Sequence, residues 1–328
     1  WTHNSQLVMT KNESYWDAEN VNLDTITYSI MNDENAIYNS FSNASIDSCG
    51  CIVREWMDRF EQMDNVEYLH YTSPSVRFNF YNTTDELFQN KNIRNAFTLA
   101  LDREDVVEVI YNGTMAPAYG WVPDGVTTGE QGNYREQFEA PLQTMYEEGL
   151  DPKELLLTGM EELGLGSDPS ALTVKFAWGA TTADARTYSE LIQQMWQEAL
   201  GVNVELEFND SSTHMSNINS GNYQMASTSW GANPEPWFQL SRWANAKGGQ
   251  SRWVNEEYTN LVKQGVSAQD ETERTELYRQ AEEMLLSEAA IAPCYWTGSI
   301  RFSYSYVKNF SDNVFDTTGM KYLYTQGR

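Results

Sequence analysis

The clearest pattern of apolar and polar positions in this chain lies between residues 172 and 208. Apolar residues alternate with polar ones over 172–178, as in a half-buried strand, and an apolar stripe with helical spacing follows over 184–200. Gly201 ends the helix, and the alternation returns over 202–208. A strand, a helix and a second strand in this order form a βαβ unit, whose two strands are parallel. The pattern therefore predicts an α/β fold.

Weaker patterns of the same kinds cover much of the remaining chain. They predict strands within 1–30 and at 75–80, 223–229 and 291–296, and helices within 33–64 and at 93–100, 102–113, 255–262 and 270–287. Residues 124–150 contain acidic residues and glycines without a clear period, so this stretch is predicted to be a solvated surface loop.

One predicted strand ends in an unusual stretch at residues 227–236 (STSWGANPEP). Trp230 stands at the strand end, Gly231 allows another backbone to approach closely, and Pro234 and Pro236 each remove a backbone donor. Two interpretations are open for these residues taken alone. They form either a turn whose tryptophan fills the core or one wall of a binding site.

The composition narrows the class of protein. A length of 328 residues favours two lobes over one compact domain. The mean hydropathy is −0.58, and no apolar run is long enough to predict a transmembrane segment. The formal net charge is −26, from 47 acidic against 21 basic residues. Because phosphate backbones and anionic lipid surfaces repel such a chain, the charge argues against binding to nucleic acid or directly to a membrane.

Few residue patterns point to catalysis or to a metal. The three histidines are scattered, and the three cysteines, including the near neighbours Cys49 and Cys51, do not make a four-ligand zinc site. No Walker-type phosphate loop occurs. A carboxylate pair of the glycosidase type stays open, because 47 acidic residues allow many pairs in space. Binding is therefore favoured over catalysis, and no metal or cofactor is expected.

Seven short motifs occur in order along nearly the whole chain. They are KNESYWD at 11–17, IRNAFTLALDR at 93–103, PAYGWVP at 117–123, WQEALGVNV at 196–204, GNY at 221–223 with SW at 229–230 and Pro236, NEEY at 255–258, and AIAP at 290–293. Each motif is weak alone, but in this order they resemble the peptide and oligopeptide substrate-binding proteins of ABC importers, the extracellular solute-binding family 5. The resemblance begins partway through the family pattern. The N-terminal part of the first lobe and a small second domain are therefore expected to be missing.

The resemblance implies a two-lobe clamp of the type II periplasmic-binding-protein kind, α/β in class, with mixed sheets flanked by helices and truncated at the N-terminus. Residues 1–77 and 298–328 would belong to the hinge-side lobe, and residues 78–297 to the opposite, ligand-binding lobe. Ligand would be captured between the lobes and delivered to ABC permease subunits in the membrane. The resemblance further implies an extracellular or periplasmic monomer, lipid-anchored through the missing N-terminus.

The same resemblance implies which residues contact ligand. The segment around Trp230 is expected to pair with the main chain of a short peptide as an added strand. Peptide binders of the family usually carry an Asp shortly after this Trp, where it holds the α-ammonium of the peptide. Here Asn233 stands at that position without the charge, and Glu235 is the alternative partner. The expected ligand-binding residues are Ser229, Trp230, Gly231, Ala232, Asn233 and Trp237, together with Asn79 and Tyr295 near the two lobe crossovers.

Two other functions stay open. Eleven Trp and nineteen Tyr residues could stack on sugar rings, and some members of the resembled family bind sugars, so the ligand could be an oligosaccharide. The alternative from a different class is an enzyme, a glycoside hydrolase that works through paired carboxylates. Stabilisation by peptides, stabilisation by oligosaccharides and turnover of a glycoside distinguish the three functions.

Overall fold

The computed structural model describes residues 1–180, 183–310, 315 and 320–327. The chain divides into two compact units, Trp1–Ser73 with Gly298–Arg328 and Pro74–Thr297. Both boundaries fall inside long strands, Val66–Tyr81 and Ile291–Tyr304. Each unit has a hydrophobic core of its own.

A strand occurs at each place where the sequence predicted one, and the short strands at 48–50, 116–117, 307–308 and 324–325 were not predicted. The strands are β1 Gln6–Thr10, β2 Thr25–Ser29, β3 Ser48–Gly50, β4 Val66–Tyr81, β5 Ala116–Pro117, β6 Thr173–Trp178, β7 Asn203–Phe208, β8 Met225–Gly231, β9 Ile291–Tyr304, β10 Val307–Lys308 and β11 Tyr324–Thr325.

Most of the helices begin at a polar side chain that accepts a hydrogen bond from a backbone N–H of the first turn, as Asp102 does from Asp105 at 3.0 Å. The α-helices are α1 Glu34–Ser42, α2 Arg54–Glu61, α3 Lys91–Leu99, α4 Arg103–Tyr111, α5 Tyr134–Gln137, α6 Pro141–Glu147, α7 Pro152–Glu162, α8 Ala183–Leu200, α9 Ser211–Ser220, α10 Pro236–Ser241, α11 Glu256–Ser267 and α12 Glu271–Ser287. Short 3-10 helices lie at Ala18–Asn20, Gly129–Gln131 and Pro169–Ala171.

The predicted βαβ unit is confirmed. β6 and β7 are parallel neighbours, with Val174 opposite Val204, and α8 connects them. Trp196 of α8 is fully buried, lies 5.1 Å from the ring of Phe176 and donates its indole N–H to the Phe97 carbonyl at 2.8 Å. The connecting helix is therefore fixed to the sheet by packing and by a satisfied polar group.

The prediction of a loop over 124–150 is wrong in part, because α5 and α6 lie there. α6 has Pro141 at its first turn and buries Leu142 and Met145. A helix of seven residues is too short to show a period in the sequence, and burial rather than propensity stabilises it.

The sheet of the second unit is mixed. Its strand order is β9–β4–β8–β6–β7, and β5 pairs with β9. β8 runs antiparallel to β4 and parallel to β6. Apolar residues of α3, α4, α7 and α8 cover the sheet and form the larger core. β8 therefore lies between two strands in an otherwise well-packed α/β unit.

The first unit is built from shorter elements. β1 pairs with β2, β10 pairs with β11, and β3 pairs with the Arg301–Ser303 part of β9. Its core is aromatic, and the rings of Phe41 and Phe60 meet edge to face at 4.8 Å. Cys49 and Cys51, in and beside β3, are buried free thiols, and burial raises the pKa of Cys49 to about 12.

Candidate ligand-binding site

Strand β8 is paired along its whole length on one side but only at its start on the other. Against β4, the register runs from Met225 opposite Tyr81 to Gly231 opposite Ser75. Among the described residues, β6 pairs with β8 only at Met225 and Ala226. The side of Ser227–Gly231 that faces away from β4 is called the open edge below.

The direction of the backbone groups in β8 follows from two contacts. Ala232, one residue past the strand, donates its N–H to the Pro74 carbonyl on the β4 side. The Ser227 carbonyl oxygen instead lies 3.0 Å from Nε2 of His214, away from β4. Because backbone groups in an antiparallel pair alternate from residue to residue, the N–H and C=O groups of Ser229 and Gly231 also point to the open edge.

The residues along the open edge are accessible. Ser229, Gly231 and Asn233 are exposed, and Ala232 is half-buried. A Cβ built on Gly231 meets no atom within 4 Å, so the space beside this residue is open. A second extended chain can therefore approach the backbone here.

Trp230 does not fill the main core. Its side chain is half-buried and stacks on Phe238 of α10, with the ring centroids 5.8 Å apart and the planes 15° from parallel. The Arg242 guanidinium carbon lies 3.5 Å from the centroid of the Trp230 ring. The indole Nε1 is buried, and no described group accepts a hydrogen bond from it. Trp237, also on α10, is 41% exposed.

Asn79 and Tyr295 are placed differently from the other predicted site residues. Asn79 is opposite Ser227 in the β4–β8 register and fully buried, and within the described ranges neither of its side-chain amide atoms has a hydrogen-bond partner. Tyr295 is 4% exposed, and its hydroxyl lies 2.6 Å from that of Tyr111. Both residues lie beneath the surface, and whether either contacts ligand stays a prediction.

Sequence reasoning missed three residues beside β8. Arg77 is opposite Ser229 in register, and its guanidinium carbon lies 4.6 Å from the ring centroid of Trp178. Since β8 lies between β4 and β6, this side chain reaches across β8 to the end of β6. The other two are His214 and Arg242. The alternation in 75–80 placed Arg77 on one face of a strand, but no pattern identified the strand beside it.

The surroundings of His214 favour its neutral form. Burial lowers the pKa of His214, and the nearby Arg77 charge lowers it further, while the bond to the Ser227 carbonyl opposes the shift. Because a carbonyl oxygen only accepts, the contact requires the proton on Nε2. Nδ1 of His214 is buried, with no partner among residues 1–180 and 183–310.

The buried carboxylate of Glu282 in the second unit is held by hydrogen bonds and an ion pair within that unit. Glu282 is 1% exposed and accepts hydrogen bonds from the backbone N–H groups of Trp121 and Val122 at 2.7 and 2.8 Å, and from Arg135 at 2.5 Å. The described residues contain no cluster of three or more histidine, cysteine or acidic side chains that could hold a metal. They also contain no helix that is long and apolar enough to cross a membrane.

Comparison with known proteins identifies the family. Residues 1–251 match the model of the bacterial extracellular solute-binding proteins, family 5 Middle. The chain belongs to this family. Family 5 consists of solute-binding proteins and not of enzymes, so the predicted family and the class of binding protein are both confirmed.

Two of the family 5 relatives are peptide-binding proteins by name. The chain is 29% identical over 311 residues to the dipeptide-binding protein DppE of Bacillus subtilis (strain 168), covering 94% of this chain and 55% of DppE. It is 27% identical over 304 residues to the oligopeptide-binding protein OppA of the same strain, covering 90% of this chain and 54% of OppA. The chain thus spans about half the length of these relatives.

A solved structure confirms the fold class. Listeria monocytogenes OppA bound to peptide superposes on this family 5 chain with a TM-score of 0.77 at 24% identity, covering 99% of this chain and 62% of that one. The predicted α/β class, with mixed sheets flanked by helices, is therefore correct.

Proposed function

We propose that the full-length protein is the extracellular substrate-binding component of an ABC importer, and that it captures short peptides for delivery to the membrane permease. The observation that carries this proposal is the open edge of β8. Ser229 and Gly231 direct backbone donors and acceptors toward this edge, where no described strand pairs with them, and an extended peptide has matching groups along its own backbone.

Pairing through the backbone suits a binder of many sequences. Every peptide offers the same N–H and C=O groups, so the main-chain hydrogen bonds supply affinity that does not depend on side-chain identity. Side chains of the bound strand would alternate between the two faces of the sheet. One face carries Trp230, and the other carries Ser229, beside Arg77. The names of DppE and OppA support peptides as the ligand class.

The amino end of the peptide has a weaker partner here than an aspartate. The Asn233 side chain is exposed and uncharged, so it accepts a hydrogen bond from an ammonium group without charge assistance. The Glu235 carboxylate adds to the effect of burial in raising the pKa of Tyr278 to about 12, so this charge lies toward Tyr278. We propose Asn233 for the ammonium contact, because it stands at the position after Trp230 where peptide binders of the family usually carry an aspartate.

An oligosaccharide ligand has less support from the geometry. Sugar rings stack on exposed aromatic faces, but the Arg242 guanidinium covers a face of Trp230. Trp237 is the remaining exposed aromatic residue of the segment. Backbone groups at a strand edge match a peptide better than they match a sugar.

A thermal-shift and calorimetric screen of the full-length protein tests the proposal. Pools of short peptides and a panel of oligosaccharides are compared at equal concentration. Ligand at 100 times its Kd stabilises the folded state by about 2.7 kcal/mol, which is measurable as a rise in Tm. We expect peptides to raise Tm and oligosaccharides to leave it unchanged. Stabilisation by oligosaccharides alone would refute the peptide proposal.

A further inference from the structure

The charges of this acidic chain are unevenly distributed along the sequence. Residues 211–255 contain β8 and α10, three basic residues and a single acidic residue, Glu235. At 47 acidic residues in 328, a stretch of 45 residues would hold about six. The segment that forms the open edge therefore contributes little negative charge of its own to repel an anionic ligand.

Arg242 is the basic residue of this stretch that touches the binding segment. It follows the last residue of α10, is half-buried and stacks on Trp230. Its Nε is buried, and like Nε1 of Trp230 it has no hydrogen-bond partner in the described part of the chain. Stacking uses the face of the guanidinium plane, so the N–H groups around its rim stay available.

Arg103 shows, by contrast, that the side chain of an arginine in this fold can be held by several hydrogen bonds within the protein. Arg103 is 1% exposed, and its side chain donates to four backbone carbonyls and to the Tyr146 hydroxyl. Within the described ranges, Nε of the Arg242 side chain has no hydrogen-bond partner. Burial alone lowers the pKa of Arg242 to about 10. Partial burial of a cation without a counter-charge raises the free energy of the folded state, and an anionic ligand bound to that cation would offset this cost.

We propose that Arg242 is a carboxylate-recognition residue of the peptide site, and that the protein selects peptides carrying a carboxylate beside Trp230 over neutral peptides. This inference rests on the proposed function. The carboxylate comes either from an acidic side chain or from the C-terminus of the peptide. A planar guanidinium binds a carboxylate through two parallel N–H···O bonds. Arg242 can offer this geometry, because stacking on Trp230 uses the face of the guanidinium and not the N–H groups at its edge.

The register of an added strand places the ligand group near Arg242. A peptide residue directly opposite Trp230 has its Cβ about 5 Å from the Cβ of Trp230 and lies on the same face of the sheet. The Arg242 guanidinium carbon lies 3.5 Å from the centroid of the Trp230 ring. An Asp or Glu at this peptide position, or a chain that ends there, therefore directs its carboxylate to the guanidinium.

Isothermal titration of the full-length protein with matched alanine tri- and pentapeptides tests the inference. The first pair is the free acid and its C-terminal amide, and the second pair consists of amidated peptides with Asp or Asn at one position. We expect the wild type to bind at least one carboxylate peptide about tenfold or more tighter than its neutral partner, because hydrogen bonds between charged groups are the stronger kind. The first pair reports a C-terminal source, and the second a side-chain source.

Two substitutions locate the effect. R242Q should bring the ratio of carboxylate-peptide to neutral-peptide affinity close to one, and R242K should keep part of the preference. Lys247→Gln removes the same charge from an exposed position of the same stretch and should keep the preference intact. Thermal unfolding of each variant shows whether it is folded.

The outcomes separate the inference from the function on which it rests. Equal binding of carboxylate and neutral peptides by the wild type, or a preference that survives in R242Q, overturns the role of Arg242 and leaves peptide capture standing. Failure of the wild type to bind any peptide of either series overturns the proposed function, and the inference with it.

Discussion

Nε2 of His214 lies 3.0 Å from the carbonyl oxygen of Ser227, on the side of β8 that faces away from β4. His214 belongs to α9, so this helix occupies the start of the open edge and leaves Ser229 and Gly231 beyond it unpaired among the described residues. The contact couples the protonation of one imidazole to the backbone that is proposed to bind ligand.

The pH dependence of stability should report this contact. Because the pKa of His214 is lowered in the folded state, the unfolded chain binds the proton more readily, and this residue destabilises the fold as the pH falls through the unfolded pKa of about 6.5. We expect H214Q to flatten the fall of Tm between pH 7 and pH 5. The exposed His70→Gln serves as the control. Equal pH profiles of wild type and H214Q would contradict this role.

Two tryptophans should separate binding from stability. Trp196 is fully buried, so Trp196→Ala should lower the free energy of unfolding by about 3–5 kcal/mol. Trp230 is half-buried beside the open edge, so Trp230→Ala should cost less stability but weaken peptide binding about tenfold or more. Chemical denaturation and calorimetry of the two variants give both quantities. Unchanged peptide affinity in folded Trp230→Ala would remove Trp230 from the site.

A buried carboxylate should prove more important for stability than its exposed neighbour. Glu282 is paired with Arg135 and accepts two backbone N–H bonds, so Glu282→Gln should destabilise the fold by about 3–5 kcal/mol. Glu283 pairs with Arg279 at the surface, and Glu283→Gln should change stability by about 1 kcal/mol or less. Urea denaturation distinguishes them. Similar losses in the two variants would mean that burial of Glu282 does not decide its contribution.

Proline substitution should distinguish the two edges of β8. The Ser229 N–H points to the open edge, so Ser229→Pro removes a donor for ligand without removing a bond to β4. Thr228 points the other way, so Thr228→Pro breaks the β4 ladder. We expect Ser229→Pro to lose peptide affinity about tenfold with a small change in Tm, and Thr228→Pro to lower Tm sharply. The reverse pattern would show that the assigned backbone directions are wrong.

Much of the fold could be predicted because its strongest signals are local. The alternation around Val174 and Val204 and the stop at Gly201 were sufficient to predict the βαβ unit. α9 was missed because its sequence, SSTHMSNINS, consists largely of weak helix formers. The Asp210 cap and the burial of His214 and Ile218 stabilise it instead.

The sequence was sufficient to predict which segment forms the site, but not which residues from other elements surround it. Trp230 at a strand end followed by prolines marked the segment in the sequence. Among the described residues, β6 pairs with β8 only as far as Ala226. This limit depends on how far the two strands run side by side, which no local pattern encodes. Arg242 lies twelve residues from Trp230 and reaches it only because α10 folds back over the ring.

An N-methyl scan of a bound peptide in calorimetry with the full-length protein tests the central claim most directly. Each backbone N–H of a pentapeptide is replaced in turn by N–CH3, which removes one donor and leaves the side chains unchanged. If the peptide pairs with the open edge of β8, methylation should weaken binding by about tenfold at alternate positions and little at the positions between them. Equal tolerance of N-methylation at every position would contradict capture of the peptide as an added strand.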